Sequence, residues 1–230
     1  MIKAVIFDID DTLYNYMEND RRVKKELQEW CAEKLGISAE EYQEYLKKGE
    51  KYANDRAGWG YAVNHNRLVR YQTMLELLGK PVIPYAYEMY ELYWDSLISQ
   101  IVPNPGVVEL LQGLKVRGTY IGLGSNMTAD IQYRKIMKLR LGEYIDGIVT
   151  SEEVGIEKPD ARLFRLCAEK AGVDVSECVF IGDSVNHDVR GAQAAGMPVM
   201  LYDPEGNVTE DYGCPVLHHF SEYFELEKTL

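Results

Sequence analysis

The sequence predicts an α/β fold: a parallel sheet covered by helices on both faces, interrupted after its first strand by an all-helical insertion. Three observations carry that expectation. The chain opens on a short, largely β-branched run, Ile2-Lys3-Ala4-Val5-Ile6-Phe7, which reads as a buried strand and ends abruptly in Asp8, Asp10 and Asp11. Residues from about 17 to 100 show only helical periodicity and are rich in tyrosine. At Val102-Pro103-Asn104-Pro105-Gly106 the texture changes, and from there strands and helices alternate as repeated βα units do.

Taken in order, Glu18 to Leu35 is amphipathic and ends at Gly36. Ser38-Ala39-Glu40-Glu41 has the form of a capping box and starts a second helix running to about Tyr52. Asn54 to Gly60 reads as a loop, Val63 to Leu78 as a third helix closed by Gly79-Lys80-Pro81, and Pro84 to about Ser99 as a fourth. Beyond the Pro-Gly-rich junction, helices are expected over Val107 to Arg117, Thr128 to Leu139, Asp160 to Ala171 and Asp188 to Ala195, with a closing helix from about Ser221. Strands are expected over Thr119 to Gly124, Ile145 to Thr150, Cys178 to Ile181 and Pro198 to Leu201. The expected division is a core of residues 1–16 and 101–230 and an insertion of residues 17–100, with linkers at about Tyr14 to Tyr16 and Ile101 to Pro105.

Composition narrows the function. The 230 residues are 46% hydrophobic and 27% charged, as in a soluble globular protein. A net charge of -12 argues against nucleic-acid binding, which rests on basic patches. No apolar run is long enough to span a bilayer, and the N-terminus enters a strand directly without a basic-then-apolar leader, so a cytoplasmic protein with no membrane partner is expected. Cys31, Cys167, Cys178 and Cys214 lack C-x-x-C spacing and read as reduced, packed thiols. The four histidines have no spacing that suggests zinc.

In open parallel sheets ligands bind beyond the carboxyl ends of the strands. Those ends carry Asp8, Asp10 and Thr12; Ser125 and Asn126; Lys158 in the loop after the third core strand; and Asp183, with Asp188 further on. Asp8 and Asp10 are two residues apart, so strand periodicity points them the same way, and like charges held that close call for a cation or a shared proton. Isolated acids after strands are usually turn formers or caps, and Asp11, Asp160 and Asp174 are read that way; Ser184 and Thr128 are equally candidates for helix caps.

Four ordered motifs, Asp8-Ile9-Asp10-Asp11-Thr12-Leu13, Ser125-Asn126, Lys158-Pro159-Asp160 and Gly182-Asp183-Ser184 running on through Asp188, resemble those of the haloacid dehalogenase-like hydrolase superfamily. The similarity covers nearly the whole chain and is to the subgroup with a helical cap inserted after the first motif. It implies a Rossmann-like core with a helical-bundle cap, and a magnesium-dependent phosphatase acting on a small phosphomonoester, a nucleoside monophosphate or a sugar phosphate, through an aspartyl-phosphate. Asp8 would be nucleophile and metal ligand, with Asp183 a second side-chain ligand and Asp10 contributing its main-chain carbonyl. Asp188 would support the metal or cap its helix. Asp10 would be general acid and base, and Ser125 and Lys158 would bind the transferring phosphoryl group. Thr12 would fix the nucleophile loop, and Asn126 would help position the phosphate.

In the insertion, Arg56 and Trp59 are the leading candidates for substrate contact, Trp59 by stacking and Arg56 by meeting an anionic group. A phosphosugar mutase on the same core is the alternative, followed by a dehalogenase or a non-catalytic binding module; Asp10 beside Asp8 favours ester hydrolysis. Either a monomer or a homodimer fits.

Overall fold

The computed structural model describes all 230 residues and divides into two compact units, one of Met1–Asn15 with Val102–Leu230 and one of Tyr16–Ile101. The helical unit is one residue longer at each end than the sequence suggests, the first junction falling one residue earlier and the second one residue later. Tyr16 already begins a helix, and its hydroxyl lies 3.1 Å from that of Tyr93 in the same unit.

The first unit is built on six parallel strands: β1 (Ala4–Phe7), β2 (Tyr120–Ser125), β3 (Gly147–Thr150), β4 (Cys178–Gly182), β5 (Val199–Tyr202) and β6 (Val216–Leu217). Their spatial order is β3-β2-β1-β4-β5-β6. The N-terminal strand is therefore central, with Phe7 in register with Leu123 on one side and Ile181 on the other. β1 and β4 are buried along their whole length, as apolar strands covered on both faces must be. Phe164 and Phe180 meet edge-to-face at 4.8 Å where α8 (Ala161–Ala171) covers the sheet. The topology reverses at β1, where β2 and β4 lie on opposite sides, and ligand sites form at such a point.

Helices α5 (Val107–Val116), α6 (Ala129–Leu139) and α8 follow the expected positions within a residue or two. Three features differ. A four-residue helix, α7 (Ser151–Val154), follows β3 directly, with Thr150 accepting a capping hydrogen bond from the Glu153 amide. The segment expected to open a helix at Asp188 is instead a wide turn over Val185–Val189, and the helix proper, α9, covers Arg190–Ala195. The closing helix is short, α10 (Tyr223–Leu226), and the two-residue β6 was not anticipated.

The second unit consists of α1 (Tyr16–Leu35), α2 (Ala39–Ala57), α3 (Arg67–Leu77) and α4 (Tyr85–Gln100). Ser38 and Glu41 form the expected capping box, with both reciprocal hydrogen bonds. The expected third helix is broken. Ala62–His65 forms a single tight turn, and Asn66 then caps α3 by accepting from the Val69 amide. α2 and α3 approach closely at Gly49, where a Cβ would stand 2.9 Å from the Arg70 carbonyl oxygen. Inside this unit Asp20 accepts from the Tyr93 hydroxyl at 2.5 Å and ion-pairs with Lys24 at 2.6 Å and Arg67 at 3.3 Å. Arg67 also lies 3.8 Å above the Tyr93 ring. Tyr42, Tyr71 and Tyr93 are buried, which accounts for part of the tyrosine content as helix packing.

Candidate active site

Asp8 follows β1 directly, and its amide donates to the Ile181 carbonyl, so the strand ladder carries it to the rim between β1 and β4. Lys158 reaches the same point from the loop before α8. Its Nζ lies 2.8 Å from Asp8 Oδ1 and 2.7 Å from Asp188 Oδ1, and donates to the Gly124 carbonyl at 3.1 Å. Lysine and both acids are buried. Burial alone would depress the lysine, but the Asp188 and Asp8 carboxylates raise it, so it is a permanent cation.

Asp188 is fixed on its other oxygen as well. Oδ2 accepts from the Ser184 amide at 2.9 Å, while the Ser184 hydroxyl caps the wide turn by accepting from the His187 amide. Of the two roles expected for Asp188, capping a helix is thus filled by Ser184, and the aspartate turns inward. Gly182 makes room for it, since a Cβ there would overlap the Asp188 carboxylate.

One oxygen each from Asp8, Asp183 and Asp188 falls within a 4.8 Å group. Three carboxylates share a single lysine. Burial, reinforced by Asp188, pushes Asp8 up to about 6 despite Lys158. Burial and repulsion from Asp8 and Asp188 push Asp183 up to about 8. Asp8 Oδ1 is buried, and Lys158 at 2.8 Å is its cationic partner. Three hard oxygen donors within one group and a surplus of negative charge over the single lysine together fit a divalent cation.

Asp10 takes a different environment. Its carboxylate accepts from Lys135 Nζ at 2.7 Å on Oδ1 and 2.9 Å on Oδ2, from the Tyr14 hydroxyl on Oδ1, and from Gln132 Nε2 at 3.2 Å on Oδ2. Burial would raise this carboxyl, but Lys135, helped by Tyr14 and Gln132, holds it below the usual carboxylate range. Asp8 and Asp10 therefore differ in charge balance although only Ile9 separates them. Asp11 between Asp10 and Thr12 has φ 57°, the left-handed conformation expected of an aspartate in a tight turn.

A sequence-family model described as haloacid dehalogenase-like hydrolase matches residues 2–196. The chain belongs to this family. Over 215 residues this hydrolase is 34% identical to a ribulose-1,5-bisphosphate 5-phosphatase of Halopiger xanaduensis, covering 91% of this chain and 89% of that protein. It is 31% identical over 201 residues to a glyceraldehyde 3-phosphate phosphatase of Methanopyrus kandleri, covering 86% and 82%. Among solved structures, a 2-haloacid dehalogenase from Pseudomonas syringae pv. Tomato DC3000 superposes with a TM-score of 0.83 at 27% identity, covering 100% of this chain and 99% of that one.

In this haloacid dehalogenase-like hydrolase the remaining candidates fall as follows. Ser125, at the end of β2, is buried and accepts from Gln132 Nε2 at 2.7 Å. Asn126 directs its side chain at the Lys158 main chain, accepting from the amide at 2.7 Å and donating to the carbonyl at 3.2 Å; its amide braces the lysine loop. Thr12 is fully buried, and its carbonyl accepts from Asn104 at 2.8 Å, tying the nucleophile turn to the Pro103-Asn104-Pro105-Gly106 segment. Arg56 and Trp59 belong to the helical unit and are exposed, Trp59 to 65%. Asp160 and Asp174 are caps, accepting from the Arg162 and Ser176 amides. All four cysteines are free thiols, and no helix is long and apolar enough to cross a membrane.

The sequence reading missed Tyr14, Gln132 and Lys135. A signal existed in α6, where Gln132 and Lys135 interrupt the apolar face made by Ile131, Ile136 and Leu139.

Proposed function

We propose that the protein is a magnesium-dependent phosphatase that hydrolyses a small phosphorylated sugar through an aspartyl-phosphate on Asp8. The observation that carries this reading is the pairing of a buried lysine with an acidic trio at one strand edge, beside a second aspartate held in separate electrostatic surroundings. Names of the two relatives, phosphatases of ribulose 1,5-bisphosphate and glyceraldehyde 3-phosphate, favour sugar phosphates over nucleotides.

Asp8, Asp183 and Asp188 would hold the magnesium ion, Asp188 directly or through its water. Bound there, the ion neutralises charge on the phosphoryl oxygens and on the nucleophile. The rest is work for the chain's own residues. An Asp8 carboxylate oxygen attacks phosphorus, and the phosphorus–ester oxygen bond breaks with its electron pair leaving on the sugar oxygen. That oxygen takes a proton from Asp10, which gains proton affinity when the dianionic ester arrives beside it. Water then attacks the same phosphorus, Asp10 receives its proton, and the bond to Asp8 breaks to release phosphate. Lys158 and the Ser125 hydroxyl hold the equatorial oxygens throughout.

The Asp8–Asp183–Asp188 charge surplus favours metal-assisted phosphoryl transfer over dehalogenation, the activity in the name of the Pseudomonas syringae structure. We assign substrate selection to the helical unit, with Arg56 and Trp59 as its contacts.

The test is release of inorganic phosphate from a panel of phosphate esters with magnesium, using wild type and Asp8→Asn. Triose, pentose and pentose bisphosphate esters are expected to be the best substrates. Asp8→Asn is expected to lose more than about 10³-fold in kcat. Failure of the wild type to hydrolyse any ester, or full activity in Asp8→Asn, overturns the assignment.

A further inference from the structure

We propose that Gln132 and Lys135 on α6 are positioning residues that fix Asp10 and Ser125 for catalysis. The inference rests on Asp10 being the proton-transfer group.

α6 turns Ile131, Gln132, Lys135, Ile136 and Leu139 toward the interior, and both polar residues on that face are fully buried. A core-facing helix surface is ordinarily apolar, and methionine or leucine would fill the space of either side chain. A buried ammonium is costly unless paired and hydrogen-bonded. Lys135 meets that condition by reaching both oxygens of Asp10, at 2.7 and 2.9 Å. Asp10 is the carboxylate that makes a buried lysine tolerable at this position.

Gln132 has the complementary part. One Nε2 donates to Asp10 Oδ2 at 3.2 Å and to Ser125 Oγ at 2.7 Å. Its Oε1 is buried without a hydrogen-bond donor. Packing alone would not retain an orphaned acceptor, so the amide nitrogen is the functional end. By donating to Ser125 it occupies an acceptor position on Oγ and leaves the single hydroxyl hydrogen to be given to a phosphoryl oxygen. Residues 132 and 135 are neighbours on one helix face, so a single rigid element sets both groups. With Tyr14 also on Oδ1, the Asp10 carboxylate is held at both oxygens and cannot turn freely.

The experiment is a mutant cycle on the full chain with magnesium, using p-nitrophenyl phosphate and an alkyl phosphate. Lys135→Met is expected to lower kcat about 100-fold, with KM changed by less than about two-fold. In the double variant Asp10→Asn/Lys135→Met, kcat is expected to match that of Asp10→Asn alone, because Lys135 acts through Asp10. The double variant also replaces a buried ion pair by two neutral groups of similar size, so it keeps the test open if Lys135→Met alone fails to fold. Gln132→Met is a second entry, with an expected loss of about ten-fold in kcat. Losses that multiply in the double variant overturn the proposal, as does unchanged kcat in Lys135→Met or in Gln132→Met. Full activity in Asp10→Asn would instead overturn the role of Asp10 itself.

Discussion

Asn126 grips the main chain of Lys158 from both sides, accepting from its amide at 2.7 Å and donating to its carbonyl at 3.2 Å. The residue after β2 thereby sets the height at which the lysine of a distant loop meets Asp8 and Asp188. Each of these hydrogen bonds contributes about 1 kcal/mol. Asn126→Ala is expected to lower stability by about 1–3 kcal/mol and kcat by about 10-fold or more, with Asn126→Asp only a partial substitute, since a carboxylate can accept from the amide but cannot donate to the carbonyl. Urea unfolding and steady-state kinetics on the same preparations check both numbers. Loss of stability with unaltered kcat would show that the brace does not reach the reaction.

Lys158 is the one cation shared by Asp8 and Asp188. Lys158→Met leaves two buried carboxylates facing each other and is expected to cost about 3–5 kcal/mol. Magnesium should return part of that loss as a larger increase in Tm than it gives the wild type. Equal magnesium-induced shifts in the two proteins would contradict a common site for the lysine and the ion.

The raised Asp183 and Asp8 give stability a definite pH dependence when no metal is bound. Both carboxyls bind protons more tightly in the folded protein, at about 8 and about 6, than in the unfolded chain, near 3.9. Their contribution is therefore complete below about pH 4 and is lost as pH rises through 6 and then 8. Metal-free protein should accordingly lose Tm between pH 5 and 8.5 through these groups, and magnesium should raise Tm more at pH 8.5 than at pH 6. Thermal scans with and without EDTA decide it, and a magnesium shift independent of pH would contradict the assignment of the trio.

Trp59 is 65% exposed and Arg56 is exposed in the helical unit. An exposed tryptophan flanked by Gly58 and Gly60 contributes little to packing. Trp59→Ala and Arg56→Ala are expected to change Tm by less than about 1 °C or so and to raise KM for the physiological ester about 5- to 50-fold while changing kcat little. Unchanged KM in both variants across the substrate panel would remove them from the binding surface.

The strand-end residues were legible in the sequence because a parallel sheet gathers its strand ends at one edge, where the expected strands place Asp8, Ser125 and Asp183; Lys158 lies in a loop well beyond β3, and its reading rested on the family resemblance. Lys135 was not legible. Its partner Asp10 lies across the chain, and only the packing of α6 on the sheet brings them together. Asp188 was read at a helix start because an acid before Ala192 and Ala195 resembles a cap; the wide turn at Val185–Val189 instead points it inward to Lys158. The break at Asn66 escaped because the hydrophobic period continues across it, while the cap that splits the segment is one side-chain hydrogen bond. β6 has two residues, too few for alternation to register.

The central place of β1 also dictates an order of assembly. Its two neighbours begin at Tyr120 and Cys178, so β1 cannot pair on either side until strands far along the chain have been made. α1 to α4 pack on one another within their own unit and are complete by Gln100. The helical unit should gain amide protection while Val5 and Ile6 still exchange freely, and the apolar β1 segment needs shelter from aggregation until its partners arrive. Placing the nucleophile on a strand whose partners lie far along the chain thus makes the catalytic centre depend on long-range pairing rather than on local structure.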